Sequence, residues 1–165
     1  MVPNDLDAFA EMNADAQVMG FFPSPWSYQH SRAVFELISE EFALRGFGVY
    51  ALDQTGVFAG IVGLGVPSFE AYFTPTVEIL WRLIPRFWGK GLATEAAHAV
   101  LDMAFNALSL PEVVAFTAAQ NERSVGVMER LCMKRAAEPY FDHPDVSDTR
   151  LRQHVLYRAT ATAEA

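Results

Sequence analysis

A mixed α/β sheet is the fold class this chain predicts, and three features predict it. Apolar runs of strand length alternate with segments whose apolar residues recur at helical spacing. A hairpin signal, Asp53-Gln54-Thr55-Gly56, joins the first two strands. A buried strand at 77–83, a glycine-containing turn at 86–91 and a helix from Leu92 then follow without a break.

The elements are expected in this order. Asn4 or Asp5 stands where a cap is needed for a helix carrying Leu6, Phe9, Ala10, Met12 and Asn13. Residues 20–26 form a loop. Ser27 caps a second helix to about Leu44, with Ala33, Val34, Leu37, Ile38, Glu41 and Phe42 at helical spacing, and Gly46 and Gly48 end it. Strands follow at 49–52 and 57–66, then an aromatic loop at 67–75. After the strand at 77–83, Leu92, Ala96, Val100, Met103 and Ala107 predict a helix to about Leu108. A strand at 113–118, a helix at 122–131 and closing strands at 134–140 and 154–158 complete the chain, around a turn-rich stretch at 142–152. The alanine- and threonine-rich end, 158–165, is expected to fray.

The 165 residues suit one domain, and 52% hydrophobic content with 13% aromatic content can fill its core. No apolar run approaches the ~20 residues that span a membrane, and the start lacks the basic-then-apolar pattern of a secretory signal. The single cysteine, Cys132, permits no internal disulfide, which suits a cytoplasmic location. A formal charge of −8 argues against nucleic acid as a partner and favours attraction of cationic amines. The four histidines, His30, His98, His143 and His154, show no metal-ligand spacing, so no metal is expected.

The turn Arg86-Phe87-Trp88-Gly89-Lys90-Gly91 opens a helix. A helix start leaves about four N–H groups without internal partners and carries positive potential. Glycines there let a ligand come close to the backbone, so the turn can cradle a phosphate or pyrophosphate. A P-loop would need glycine where Ile84 stands and Ser or Thr where Gly91 stands. A dinucleotide fingerprint would need glycine at Thr94. Neither pattern fits, and a plain helix-start turn without ligand accounts equally well for the glycines.

Read with its continuation Leu92-Ala93-Thr94-Glu95-Ala96-Ala97, the turn resembles the Gln/Arg-x-x-Gly-x-Gly/Ala signature of the GNAT superfamily of acyl-CoA-dependent N-acetyltransferases. Val77-Glu78-Ile79-Leu80-Trp81-Arg82-Leu83 resembles that family's fourth strand. Phe116-Thr117-Ala118-Ala119-Gln120-Asn121-Glu122-Arg123-Ser124 is similar to its fifth strand and Asn-x-x-Ser helix start. The likeness runs from about residue 5 to residue 157 and is nearest the ribosomal-protein-alanine-acetyltransferase-like branch. It implies the acyl-CoA N-acyltransferase fold, with a mixed sheet splayed between the fourth and fifth strands and flanked by helices. Relatives carry an extra strand before the first helix, so the first edge strand is expected to be missing.

The resemblance also implies a site. Acetyl-CoA lies in the splay, its pyrophosphate on the backbone of Trp88, Gly89, Lys90, Gly91, Leu92 and Ala93, with Thr94 beside them and charge from Arg86 or Lys90. The acetyl carbonyl lies along Ile79, Leu80 and Trp81, where a freed N–H can hold the oxyanion. Glu78 is the candidate base, with Asp142 and His143 as a second pair. Met128 stands where many relatives have a tyrosine, so Ser124 is the candidate donor to the thiolate, and Asn121 contacts the pantetheine or caps the helix. Phe21, Phe22, Trp26, Phe69, Tyr72, Phe73, Tyr140 and His143 are expected to wall the acceptor. Cys132, at a helix end where relatives carry glycine, is expected to be a small packed side chain rather than a nucleophile. The implied reaction is acetyl transfer to a small-molecule or peptide amine by direct attack in a ternary complex, in a monomer or homodimer. A catalytically silent acyl-CoA-binding module is the alternative.

Overall fold

The computed structural model describes residues 1–161 and places six strands in one mixed sheet, in the order β1-β2-β3-β4-β6-β5. The strands are β1 (Val49–Gln54), β2 (Val57–Gly65), β3 (Glu78–Leu83), β4 (Glu112–Ala118), β5 (Lys134–Asp142) and β6 (Gln153–Thr160). The helices are α1 (Leu6–Ala14), α2 (Tyr28–Arg45), α3 (Leu92–Asp102), α4 (Glu122–Arg130) and the short α5 (Thr149–Arg152). β1 forms one edge of the sheet, and among the described residues no strand precedes α1. The hairpin turns at Thr55 and Gly56, both with left-handed backbone, and Asp53 Oδ1 accepts the Gly56 N–H at 2.8 Å.

Alternation along the strands divides the core into two faces. Val62, Leu64, Ile79, Val113, Ala115, Val155 and Tyr157 pack under α3 and α4, against Ala97, Val100, Leu101, Val127 and Met128. The opposite face holds Val49, Ile61 and Leu80 under α1 and α2, with Phe9, Met12 and Phe35. Further along that face, Val114, Ala136 and Leu156 are covered by Phe73 and its aromatic neighbours.

Three expectations change. The buried stripe of α2 is Ser31 and Phe35, flanked by half-buried Val34, Ile38 and Phe42. Ala33 and Leu37 face outward, because two stripes one residue apart are both helically periodic and only the one meeting α1 and β1 is buried. The helix after the cradle leaves α geometry at Asp102, and Met103–Ala107 is a π turn. Residues 158–160, expected to fray, are the last residues of β6, paired to Lys134 and to Glu112 and Val113. The rest of the expected frayed tail, 162–165, lies outside the described residues.

The feature that positions a site is the junction of β3 and β4. These parallel neighbours pair only at Glu78 and Val114, where the Val114 N–H donates to Val77 O at 2.9 Å. Beyond that point they diverge. On its other edge β4 pairs with β6 residue by residue, from Glu112 with Thr160 to Ala118 with His154.

Candidate active site

Val77 spends its carbonyl on β4. The N–H and C=O of one residue point to the same strand edge, and successive residues alternate. Ile79 and Trp81 therefore also present backbone groups toward β4, whereas Leu80 turns its own toward Gly63 of β2. Past Val114 there is no strand opposite Trp81, so its N–H faces the splay. This narrows the three backbone positions expected near the carbonyl. By this alternation Trp81 is the candidate donor, and Leu80 contributes a side chain on the α1–α2 face.

At the open end of the splay sits the cradle. Pro85–Phe87 make a 3-10 turn, and Gly89 and Gly91 both have left-handed backbone, with φ of 72° and 80°. A Cβ built on either glycine meets nothing within 4 Å, so both face open space. The α3 start at Leu92 has no side-chain cap. Its first N–H groups, those of Leu92, Ala93 and Thr94, thus lie beside a bare glycine surface that suits an anion. Arg86 and Lys90 both lean on the Phe87 ring, at 5.0 and 5.4 Å from its centroid. Trp88 is pinned by its indole N–H to Leu83 O at 2.7 Å. Arg123 of α4 lies over the Trp88 ring at 4.3 Å and brings a cation to the cradle from the other side of the splay. Only a helix position in a distant segment places that arginine there, so the sequence carried no signal for it. These groups fit a pyrophosphate.

At the narrow end of the splay Glu78 lies over bare Gly65. A Cβ there would stand 3.4 Å from its Oε1. Burial pushes the Glu78 carboxyl up to about 7, with neither a hydrogen bond nor an opposite charge to oppose it. A carboxyl held near neutrality is a candidate for proton transfer. The alternative pair does not form. Asp142 is exposed, and His143 Nδ1 instead accepts the Asp145 N–H at 3.2 Å. Burial holds the His143 imidazole below its ordinary range.

Across the splay, Asn121 caps α4. Its Oδ1 accepts the Ser124 N–H at 3.3 Å, and its Nδ2 donates to Thr117 Oγ1 at 2.9 Å and to Ser124 Oγ at 3.2 Å. Ser124 Oγ is thus engaged as an acceptor, which leaves its O–H to donate elsewhere. Met128 is buried in the core.

The expected aromatic wall separates into two groups. Phe22 and Trp26, with rings 6.3 Å apart, lie in the α1–α2 connection over Arg82. Phe69, Phe73, Phe116, Phe141, His143 and His154 cluster on the far side of β3. Phe73 is core rather than lining, only 7% exposed. Tyr72 is exposed and donates its hydroxyl to Glu138 O. Tyr140 belongs to neither group. It is exposed on the bulged part of β5, with Arg135 over its ring at 6.0 Å. Phe21 is half-buried at the start of the α1–α2 connection. Cys132 is not packed. It is exposed with φ of 58°, because the chain leaves α4 in the left-handed conformation that relatives satisfy with glycine. Among the described residues no group of side chains could hold a metal, and no helix is long and apolar enough to cross a membrane.

The chain resembles known proteins along most of its length. It is 29% identical to the uncharacterized N-acetyltransferase YnaD of Bacillus subtilis over 132 residues, 79% of this chain and 74% of the relative. It is 30% identical to an FsC-acetyl coenzyme A-N(2)-transacetylase of Aspergillus fumigatus over 140 residues, 82% of this chain but 59% of the relative. A crystal structure of an acetyltransferase from Agrobacterium tumefaciens superimposes with a TM-score of 0.73 at 25% identity, over 96% of this chain and 86% of that one. The family model described as an acetyltransferase (GNAT) domain matches residues 1–134, which include the splayed strands, the cradle and the Asn-x-x-Ser helix start. The chain therefore belongs to the GNAT family of acetyltransferases, enzymes that draw their acetyl group from acetyl-CoA.

Proposed function

We propose that this protein transfers the acetyl group of acetyl-CoA to a primary amine by direct attack in a ternary complex, with Glu78 as base. The observation that carries this reading is the half-buried, unpartnered Glu78 at the apex of the splay. A protonated amine must lose a proton before it can attack, and a carboxyl near 7 can accept it at neutral pH. The Trp81 N–H then meets the oxygen on which negative charge develops; one such donor is typically worth ~10²–10³ in rate. Ser124, its lone pair occupied by Asn121, supplies a proton to the departing thiolate. The cradle holds the pyrophosphate on Gly89, Gly91 and the first N–H groups of α3, with Arg123 adding charge. The likeness to the ribosomal-protein-alanine-acetyltransferase-like branch puts protein amines among the acceptor classes to test.

Release of free CoA across a panel of peptide N-termini, amino acids, polyamines and amino sugars tests the reading. Turnover with at least one class, lost in Glu78→Gln, is the expected result. CoA binding without turnover on any class would replace the reading with a silent acyl-CoA-binding module. Gly91→Glu sets bulk and negative charge against the pyrophosphate and should abolish CoA binding in calorimetry while the fold is retained.

A further inference from the structure

β3 carries a second half-buried ionisable group on the same face as Glu78. Alternation puts Glu78, Leu80 and Arg82 on the α1–α2 face, and Ile79, Trp81 and Leu83 on the other. The Arg82 guanidinium lies between Phe22 and Trp26, at 4.3 and 4.8 Å from their ring centroids. It donates to the Oδ1 of Asn13, a fully buried side chain that itself donates to Phe9 O at 2.9 Å. Asn13 is neutral. Among the described residues no carboxylate pairs with Arg82, and Glu78 is no exception. A guanidinium has five N–H donors, and here one is matched within the protein. Drawing such a charge part-way out of water carries a cost that an anion would offset. Desolvation has already drawn it down to about 10, so it remains cationic at neutral pH.

We propose that Arg82 binds a carboxylate of the amine acceptor, so that the substrates are amino-carboxylates held between Glu78 and Arg82 across Leu80. This deepens the acetyl-transfer reading and rests on it. Glu78 and Arg82 are four positions apart on the strand, so their Cα atoms stand about 13 Å apart. The amine and carboxylate therefore stand several bonds apart, as in a dipeptide or an ω-amino acid, rather than on one carbon. Phe22 and Trp26 flank the guanidinium and reduce its contact with water, which strengthens a bidentate carboxylate pair. Asn13 holds one N–H of the guanidinium and leaves the others for a ligand.

The test compares 6-aminohexanoate with 1-aminohexane, and glycylglycine with glycylglycinamide. In the wild-type enzyme kcat/KM should favour each carboxylate by on the order of 10- to 100-fold, and in Arg82→Gln the ratio should fall to near one. A preference that survives the substitution, or a wild-type preference for the neutral partners, overturns the proposal. Hexanoate, which has no amine, serves as a second probe on the wild-type protein alone. Calorimetry should show saturable hexanoate binding and none for hexanamide; equal binding, or none, overturns the proposal. If no amine is acetylated yet hexanoate binds and hexanamide does not, the transfer reading fails while the carboxylate site stands. If Arg82→Gln instead weakens CoA binding and leaves the acceptor ratio intact, the anion at Arg82 is a CoA phosphate and the proposal falls.

Discussion

The two edges of β4 do different jobs. Along β6 every residue from Glu112 to Ala118 has a partner, and the side chains beneath, Val114 and Leu156, are wholly buried. Along β3 there is one pair, Glu78 with Val114, and then an opening. A fully laddered edge satisfies its backbone inside the protein and contributes stability. A splayed edge leaves backbone groups of β3 without a strand partner, beside two half-buried ionisable side chains, Glu78 and Arg82, that have no charged partner among the described residues. The same strand thus anchors the fold with one side and frames the chemistry with the other. Unpaired backbone is tolerated where the adjoining ladder over-determines the structure.

The largest effect is expected at Glu78. Glu78→Gln keeps the shape but cannot accept a proton, so kcat should fall by ~10²–10⁴ with CoA affinity nearly unchanged. Wild-type activity should rise with pH through about 7, as the carboxyl ionises, and that step should vanish in the variant. A wild-type rate at neutral pH in Glu78→Gln would remove the base from the splayed edge.

The paired edge should respond in the opposite sense. Leu156→Ala empties a fully buried position on β6 and should cost about 2–5 kcal/mol of stability in chemical denaturation. KM for acetyl-CoA in the folded fraction should hardly move. A variant with intact stability and impaired CoA binding would mean that the two edges do not divide their roles.

Glu78 also sharpens the contrast through stability. Its folded carboxyl keeps its proton to about 7, while the unfolded one ionises near 4.5. Stability should therefore fall as pH rises from 4.5 to 7, and the full cost should persist above 7. Glu78→Gln should raise the melting temperature at pH 8, by an amount equivalent to about 1–3 kcal/mol, and bring little gain at pH 4.5. An equal change at both pH values would show that the carboxyl is not desolvated.

Ser124→Ala should have the smallest effect, about tenfold in kcat, since a CoA thiolate is already a tolerable leaving group. High pH should not rescue it, whereas the loss of a base is partly offset by the larger share of neutral amine. Rescue of Ser124→Ala at high pH would sink its assignment as acid.

Much of this was legible from residues alone because it is local. Ser27 caps α2, its hydroxyl oxygen accepting the His30 N–H at 3.1 Å, as Ser at a helix start predicts. Asn121 caps α4 for the same reason. Gly89 and Gly91 have the left-handed backbone that a glycine turn before a helix suggests. The charged pair Glu78 and Arg82 inside an apolar strand run was visible too, although only Glu78 was read as a site residue. A cation in a run otherwise fit for burial was the signal for Arg82.

Other features depend on what lies across space. Ala33 and Leu37 were as periodic as Val34 and Ile38, and only the docking of α2 on α1 chose between the two stripes. Asp142 and His143 are neighbours in sequence, yet strand geometry sends successive side chains apart and leaves the histidine among Phe69, Phe141 and His154. Arg123 reaches Trp88, and Asn13 reaches Arg82, across 35 and 69 positions of chain. Sequence by itself determined the elements, their caps and the cradle turn, because these depend on the few residues around each position. The splay, the desolvation of Glu78 and Arg82 and the division of the aromatic wall were decided by tertiary structure, because burial and pairing are set by which distant segments pack together.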